Sequence, residues 1–192
     1  MNDEEAGGRI AADRIGAALH GKGAIAVLGV DPDVTGIMLR LQSFEKHLDE
    51  QFPAVRIVAR GPGAFNAAEA QQATFAVLSS NPRINAVLSL TNVATRAAFF
   101  ALKSRSELGN IKLMGCDQDG DMIAQVKLGT IDSVLAEDTY RMGYEAVKQI
   151  IARLSADSVP GSTVLPPLLI TRENATSPEV QHLTDMTWFD RK

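Results

Sequence analysis

Short apolar runs of strand length alternate with longer amphipathic segments from one end of the chain to the other, and few folds accommodate that order. Residues 24–29 (AIAVLG), 55–59, 84–90 (INAVLSL), 111–115 (IKLMG), 130–136 and 165–170 read as strands. Residues 3–20, 33–50, 66–80, 92–104, 119–128 and 139–154 read as helices. In the second helix Ile37, Leu41, Phe44 and Leu48 form one apolar stripe. Asn66, three residues before Glu69, suits an N-cap. Gly21 and Gly23 carry C-cap chemistry, and Asn81-Pro82 breaks the third helix. Strands separated by helices need crossover connections, and crossovers give a parallel sheet covered on both faces. The expected fold class is therefore α/β: an open, doubly wound parallel sheet of flavodoxin-like order in three α/β/α layers.

Composition removes several function classes. Among 192 residues, 45% are apolar and 22% charged, and the net charge of −4 offers no basic excess to neutralise phosphates. Nucleic acid is accordingly not an expected partner. A single cysteine, Cys116, excludes an internal disulfide framework and a multi-cysteine zinc site. His20, His47 and His182 are scattered, so no metal site is expected. The longest apolar runs fall far short of the ~20 residues that a spanning helix needs. Residues 1–20 begin acidic and lack the basic start and apolar run of a signal peptide, which by itself would leave the chain where it is made.

In open α/β sheets, ligands bind beyond the carboxyl ends of the strands, which here means just after residues 29, 60, 90, 115 and 136. Those segments, with the helix after the first strand, hold Arg40, Phe65, Thr91, Asn92, Asp117 and Glu137. A guanidinium fork, two carboxylate acceptors, a flat aromatic face and the mixed polarity of Thr and Asn suit a small polyhydroxylated solute. Each also has a plainer reading. Asp117 suits a helix N-cap, Phe65 a core anchor beneath its loop, Arg40 a solvated helix position, and Glu137 beside Asp138 an exposed acidic pair. Cys116 reads as a small buried hydrophobe. No dinucleotide or phosphate-loop glycine motif and no nucleophile elbow occurs. Asp31, Asp33 and Asp117 would make a receiver-type pocket only with a lysine near the last strand, and residues 165–168 contain none. No catalytic residue, enzyme activity or cofactor is expected.

Collinear motifs carry a family resemblance. They are Asn2-Asp3-x-x-Ala6-Gly7-Gly8-x-Ile10-Ala11, Arg40-x-x-x-Phe44, residues 72–88 (QATFAVLSSNPRINAVL) and Asn92 with Ala101-Leu102. Gly115-x-Asp117, Gly129, Gly143 and Ile170-Thr171-Arg172-Glu173-Asn174 complete the series. Together they resemble the type 1 periplasmic sugar-binding proteins, especially the ribose-binding-like branch, and the effector domains of LacI-type regulators. The resemblance implies a periplasmic-binding-protein type 1 lobe with the ligand arginine at Arg40, the stacking aromatic at Phe65 and the ligand aspartate at Asp117. Thr91, followed by Asn92, replaces the family's asparagine after the Ala-Val strand, and Glu137 replaces its glutamine. Those departures, with a longer loop over residues 29–40, point away from ribose toward another sugar or polyol.

The resemblance also sets domain expectations. Residues 1–137 correspond to the second lobe of a two-lobe solute-binding protein, carrying half of its ligand cleft. Residues 138–164 correspond to a crossover helix and loop that pack on the first lobe, and residues 165–192 to a return strand and C-terminal tail. The implied partners are a sugar or polyol and, for the intact protein, an ABC-type membrane permease or chemoreceptor in the periplasm or another extracytoplasmic space. A LacI-type regulatory core is the first alternative and a flavodoxin-like small-molecule enzyme the second. The segment over residues 170–174 favours the transport branch. Residues 139–154 carry Tyr140, Met142, Ala146, Val147, Ile150, Ile151 and Leu154, too apolar for a helix left in water. A homodimer through that helix is the expected relief.

Overall fold

The structure is a computed structural model that describes residues 1–64, 66–116, 118–155 and 161–184. In chain order the elements are α1 (Glu4–Ala18), β1 (Lys22–Val30), α2 (Thr35–Gln51), β2 (Ala54–Pro62), α3 (Ala67–Ser80) and β3 (Ala86–Ser89). They continue with α4 (Asn92–Ser104), β4 (Lys112–Gly115), α5 (Gly120–Leu128), β5 (Ser133–Ala136), α6 (Thr139–Leu154), β6 (Leu168–Thr171) and α7 (Pro178–Thr184). The strands form one sheet in the order β2-β1-β3-β4-β5-β6, with the first five strands parallel. That is the doubly wound arrangement that the strand–helix alternation calls for.

Alternate residues of each strand feed opposite faces. Ile25, Val27, Leu88, Met114 and Leu135 meet Ala11 and Ile15 of α1 and Leu41, Phe44 and Leu48 of α2. Ala26, Leu28, Val87, Leu113 and Val134 meet Leu78 of α3, Ala98 and Leu102 of α4, and Ile123 and Val126 of α5. The stripe read from the second helix is therefore the face α2 buries, with Ile37 only partly covered. Asn66 caps α3 by accepting from the Glu69 amide at 3.0 Å. Glycines let α1 lie directly on the backbone of α2. A Cβ on Gly8 would stand 2.3 Å from the Arg40 carbonyl oxygen and 2.7 Å from the Phe44 nitrogen.

Three features differ from the sequence reading. The last strand begins at Leu168, because Pro166 and Pro167 have no amide protons for a ladder. Leu165 instead forms an isolated parallel bridge with Asn2, and its amide donates to the Met1 carbonyl at 2.9 Å. That strand also runs antiparallel to β5, so the sheet is mixed at this edge. A short helix, α7, follows it and buries Val180 in the second core. The proposed loop and tail extend over residues 156–160 and 185–192, which lie outside the described residues.

α6 belongs to neither layer. It has no buried residue, and Tyr144, Val147, Ile150, Ile151 and Leu154 are all more than half exposed. No helix among the described residues is long and apolar enough to cross a membrane.

Candidate functional site

The carboxyl ends of β3, β4 and β5 open with the first turns of α1, α2 and α4 into one cleft of about 420 Å³. Arg40, Thr91, Asn92 and Glu137, drawn from three separate segments, all line it. Phe65 and Asp117 lie outside the described residues.

Local structure fixes each wall. Thr91 is the N-cap of α4: its backbone is extended, and its hydroxyl accepts from the Ala94 amide at 3.2 Å. This places Asn92 at the first helical position, on the cleft's edge. One turn on, the Thr95 hydroxyl donates to the Thr91 carbonyl at 2.8 Å and accepts from the Cys116 amide at 3.0 Å. A Cβ on Gly115 would stand 2.3 Å from Thr95 Cγ2, so a glycine is what lets α4 seat against the end of β4. Gln118 joins the next two segments: its Oε1 accepts from the Glu137 amide at 3.1 Å, and its Nε2 donates to Thr139 Oγ1 at 3.1 Å.

Arg40 is the centre of the cleft wall. It is buried on α2, not solvated as its plainer reading has it. Its Nε donates to Glu4 Oε2 at 2.8 Å, and its Nη2 lies 2.5 Å from both Glu4 Oε2 and Glu137 Oε1. Its Nη1 donates to the Leu90 carbonyl at 3.4 Å and to Cys116 Sγ at 3.1 Å. Burial works against the guanidinium charge, but Cys116, Glu4 and Glu137 together outweigh it and hold Arg40 above its ordinary value. Burial likewise pushes the Cys116 thiol up, against the pull of Arg40. Cys116 packs, partly buried, against the first core and also lines the cleft.

Glu4 and Gln118 are not among the residues that the sequence singles out. Glu4 reads locally as a first-turn acid that complements the helix dipole. Nothing in the sequence signals that it meets an arginine on a different helix.

A family model for the periplasmic binding protein domain matches residues 2–158. The chain belongs to the periplasmic binding protein family. This periplasmic binding protein chain is also similar to solved structures of the same fold. One is an ABC transporter solute-binding protein from Agrobacterium vitis bound with alpha-D-tagatopyranose, at 25% identity and a TM-score of 0.89, with 96% of this chain and 61% of that one covered. Another is a carbohydrate transporter solute-binding protein from Agrobacterium radiobacter in complex with D-arabinose, at 23% identity and a TM-score of 0.89, covering 96% and 64%. A third, from Bacillus halodurans with bound myo-inositol, matches at 20% identity and a TM-score of 0.85, covering 94% and 62%. The chain thus spans less than two thirds of the length of these solved chains.

Proposed function

We propose that this chain is a non-catalytic sugar- or polyol-binding lobe of a solute-binding protein for ABC-type uptake or chemosensing. The observation that carries the reading is the convergence of Arg40, Thr91, Asn92 and Glu137 on one cleft at the carboxyl ends of the strands. Phe65 and Asp117 complete the proposed half-site. A carboxylate, a hydroxyl and an amide within one small cleft suit the hydroxyls of a sugar ring. The sugars and inositol named with the solved relatives support that ligand class. In this reading the intact protein works in the periplasm or another extracytoplasmic space, delivering its ligand to a permease or chemoreceptor.

Half a cleft leaves half of the ligand's hydrogen bonds to water, so affinity is weak. Nuclear magnetic resonance reads weak binding directly. Titration of this chain with D-tagatose, D-arabinose and myo-inositol is expected to move the amide signals of Thr91, Asn92 and Glu137, with a Kd above about 1 mM. Submillimolar binding would refute the half-site, and shifts confined to another surface would refute the location.

We propose further that residues 1–137 and 165–192 build this lobe, while 138–164 cross over to cover another. Two copies then pair through the apolar stripe of α6, which the described residues leave exposed. Burying one large apolar side chain is worth roughly 1.5–3 kcal/mol. Light scattering at micromolar concentration is expected to give twice the 20.6 kDa of one chain. Ile150→Asp combined with Leu154→Asp is expected to return the monomer. A wild-type mass of 20.6 kDa would refute the pairing.

A further inference from the structure

We propose that Glu4 is a positioning residue of this cleft: with Glu137 it holds Arg40 as an internal brace, so that the wall turns carboxylate acceptors rather than guanidinium donors toward its ligand. The inference deepens the reading of the cleft given above and rests on it for the ligand, but the brace itself is a property of the chain alone.

The geometry has three parts. First, every guanidinium nitrogen has a protein partner: Nε has Glu4, Nη1 has the Leu90 carbonyl and Cys116 Sγ, and Nη2 has both Glu4 and Glu137. A hydroxyl approaching Arg40 would have to displace one of these bonds. Second, the Arg40 side chain is 9% exposed, against 19% for Glu4 and 25% for Glu137, so the carboxylates stand nearer to solvent than the cation they hold. Third, the partners come from four places in the chain: the first turn of α1 and the residues immediately beyond β3, β4 and β5. One planar group therefore registers three strand ends against one helix. Lysine cannot reproduce this, because a single ammonium cannot reach four such separated acceptors in the plane of a fork.

The consequence concerns ligand class. Two carboxylates around one buried arginine leave the braced cluster with a surplus negative charge. A ligand that donates, such as a neutral polyol or an amino sugar, matches that wall, whereas a sugar acid or sugar phosphate meets repulsion.

The single cysteine supplies a test that needs no ligand. Cys116 accepts from Arg40, lines the cleft and faces three charged groups: Arg40 from α2, Glu4 from α1 and Glu137 beyond β5. Its reaction with Ellman's reagent is followed across a pH series for the whole chain and its variants. Loss of the Glu4 charge alone moves the pH profile to lower values, since that carboxylate raises the thiol pKa. Loss of positioning does something different: it opens the sulfur and lifts the high-pH plateau.

Glu4→Gln is expected to lift that plateau at least fivefold, Arg40→Lys to lift it as well, and Glu4→Asp to restore part of the protection. Asp13→Asn, which removes the surface partner of His47 on the same helix, is expected to leave the plateau unchanged. The plateau is compared with the unfolding rate measured for each variant in urea. A Glu4→Gln profile that only shifts along the pH axis would overturn the proposal, as would a plateau that rises only in step with global unfolding. Because no sugar is present, failure here is distinct from failure of the half-site titration.

Discussion

Phe44→Ala is expected to destabilise the fold by about 3–5 kcal/mol, the range for emptying a large aromatic site in a packed core. Phe44 is fully buried among Leu41, Leu48, Ile15 and the first-face residues of the central strands. It stands one turn beyond Arg40 on α2, so its ring anchors the helix whose preceding turn carries the brace. Urea unfolding followed by circular dichroism reads the loss as a lowered midpoint at nearly constant slope. The cleft should suffer as well, since α2 has no other aromatic residue in the first core apart from Phe52 at its end. A loss below about 1 kcal/mol would mean that α1 and the sheet collapse into the vacated space.

Gly8→Ala gives the second large effect, with a sign opposite to helix propensity. In an open helix interior this change stabilises by roughly 0.5–1 kcal/mol. At Gly8 the new methyl would lie 2.3 Å from the Arg40 carbonyl oxygen, and backbone cannot swing aside as a side-chain end can. α1 must lift from α2, and overpacking of that kind costs about 1–3 kcal/mol. The same displacement draws Glu4, one turn earlier, away from Arg40. Gly143 on α6 is the matched control, because a Cβ there meets nothing within 4 Å. Gly143→Ala is expected to leave the global unfolding midpoint no lower, while Gly8→Ala lowers it. Two shifts of the same sign would show that propensity, and not the α1–α2 contact, governs both sites.

What the sequence reveals of this fold divides along the range of the interactions. Strand runs such as residues 84–90 and the stripe through Leu41, Phe44 and Leu48 declare themselves because burial on a sheet or helix repeats with a local period. The four described candidates Arg40, Thr91, Asn92 and Glu137 were legible for a topological reason: in this fold the carboxyl ends of parallel strands gather at one edge. Glu4 was not legible, since its partner Arg40 is 36 positions away and only the docking of α1 on α2 brings them together. The reversal of β6 was hidden for a related reason. A run such as Leu168–Thr171 carries no mark of its direction, which is set by the path of α6 and the return through Leu165. α7 escaped because seven residues with a single buried side chain give too little periodicity to read.

The exposure of α6 divides an unpaired chain into two thermodynamic tiers. Opening a helix that touches a core exposes apolar surface, whereas opening α6 in an unpaired chain gives up, beyond its own backbone hydrogen bonds, a few side-chain contacts such as Gln149 with Thr163 and Tyr140 with His182. In that unpaired chain its amides are expected to exchange with solvent deuterons by a local route, well before those of β1 or α4, whose exchange waits on the sheet. The same split makes the helix a sensitive reporter. Whatever settles on the stripe from Tyr144 to Leu154 slows exchange there by the full free energy of its binding, up to the ceiling set by global unfolding, while the clocks of the sheet keep their own time.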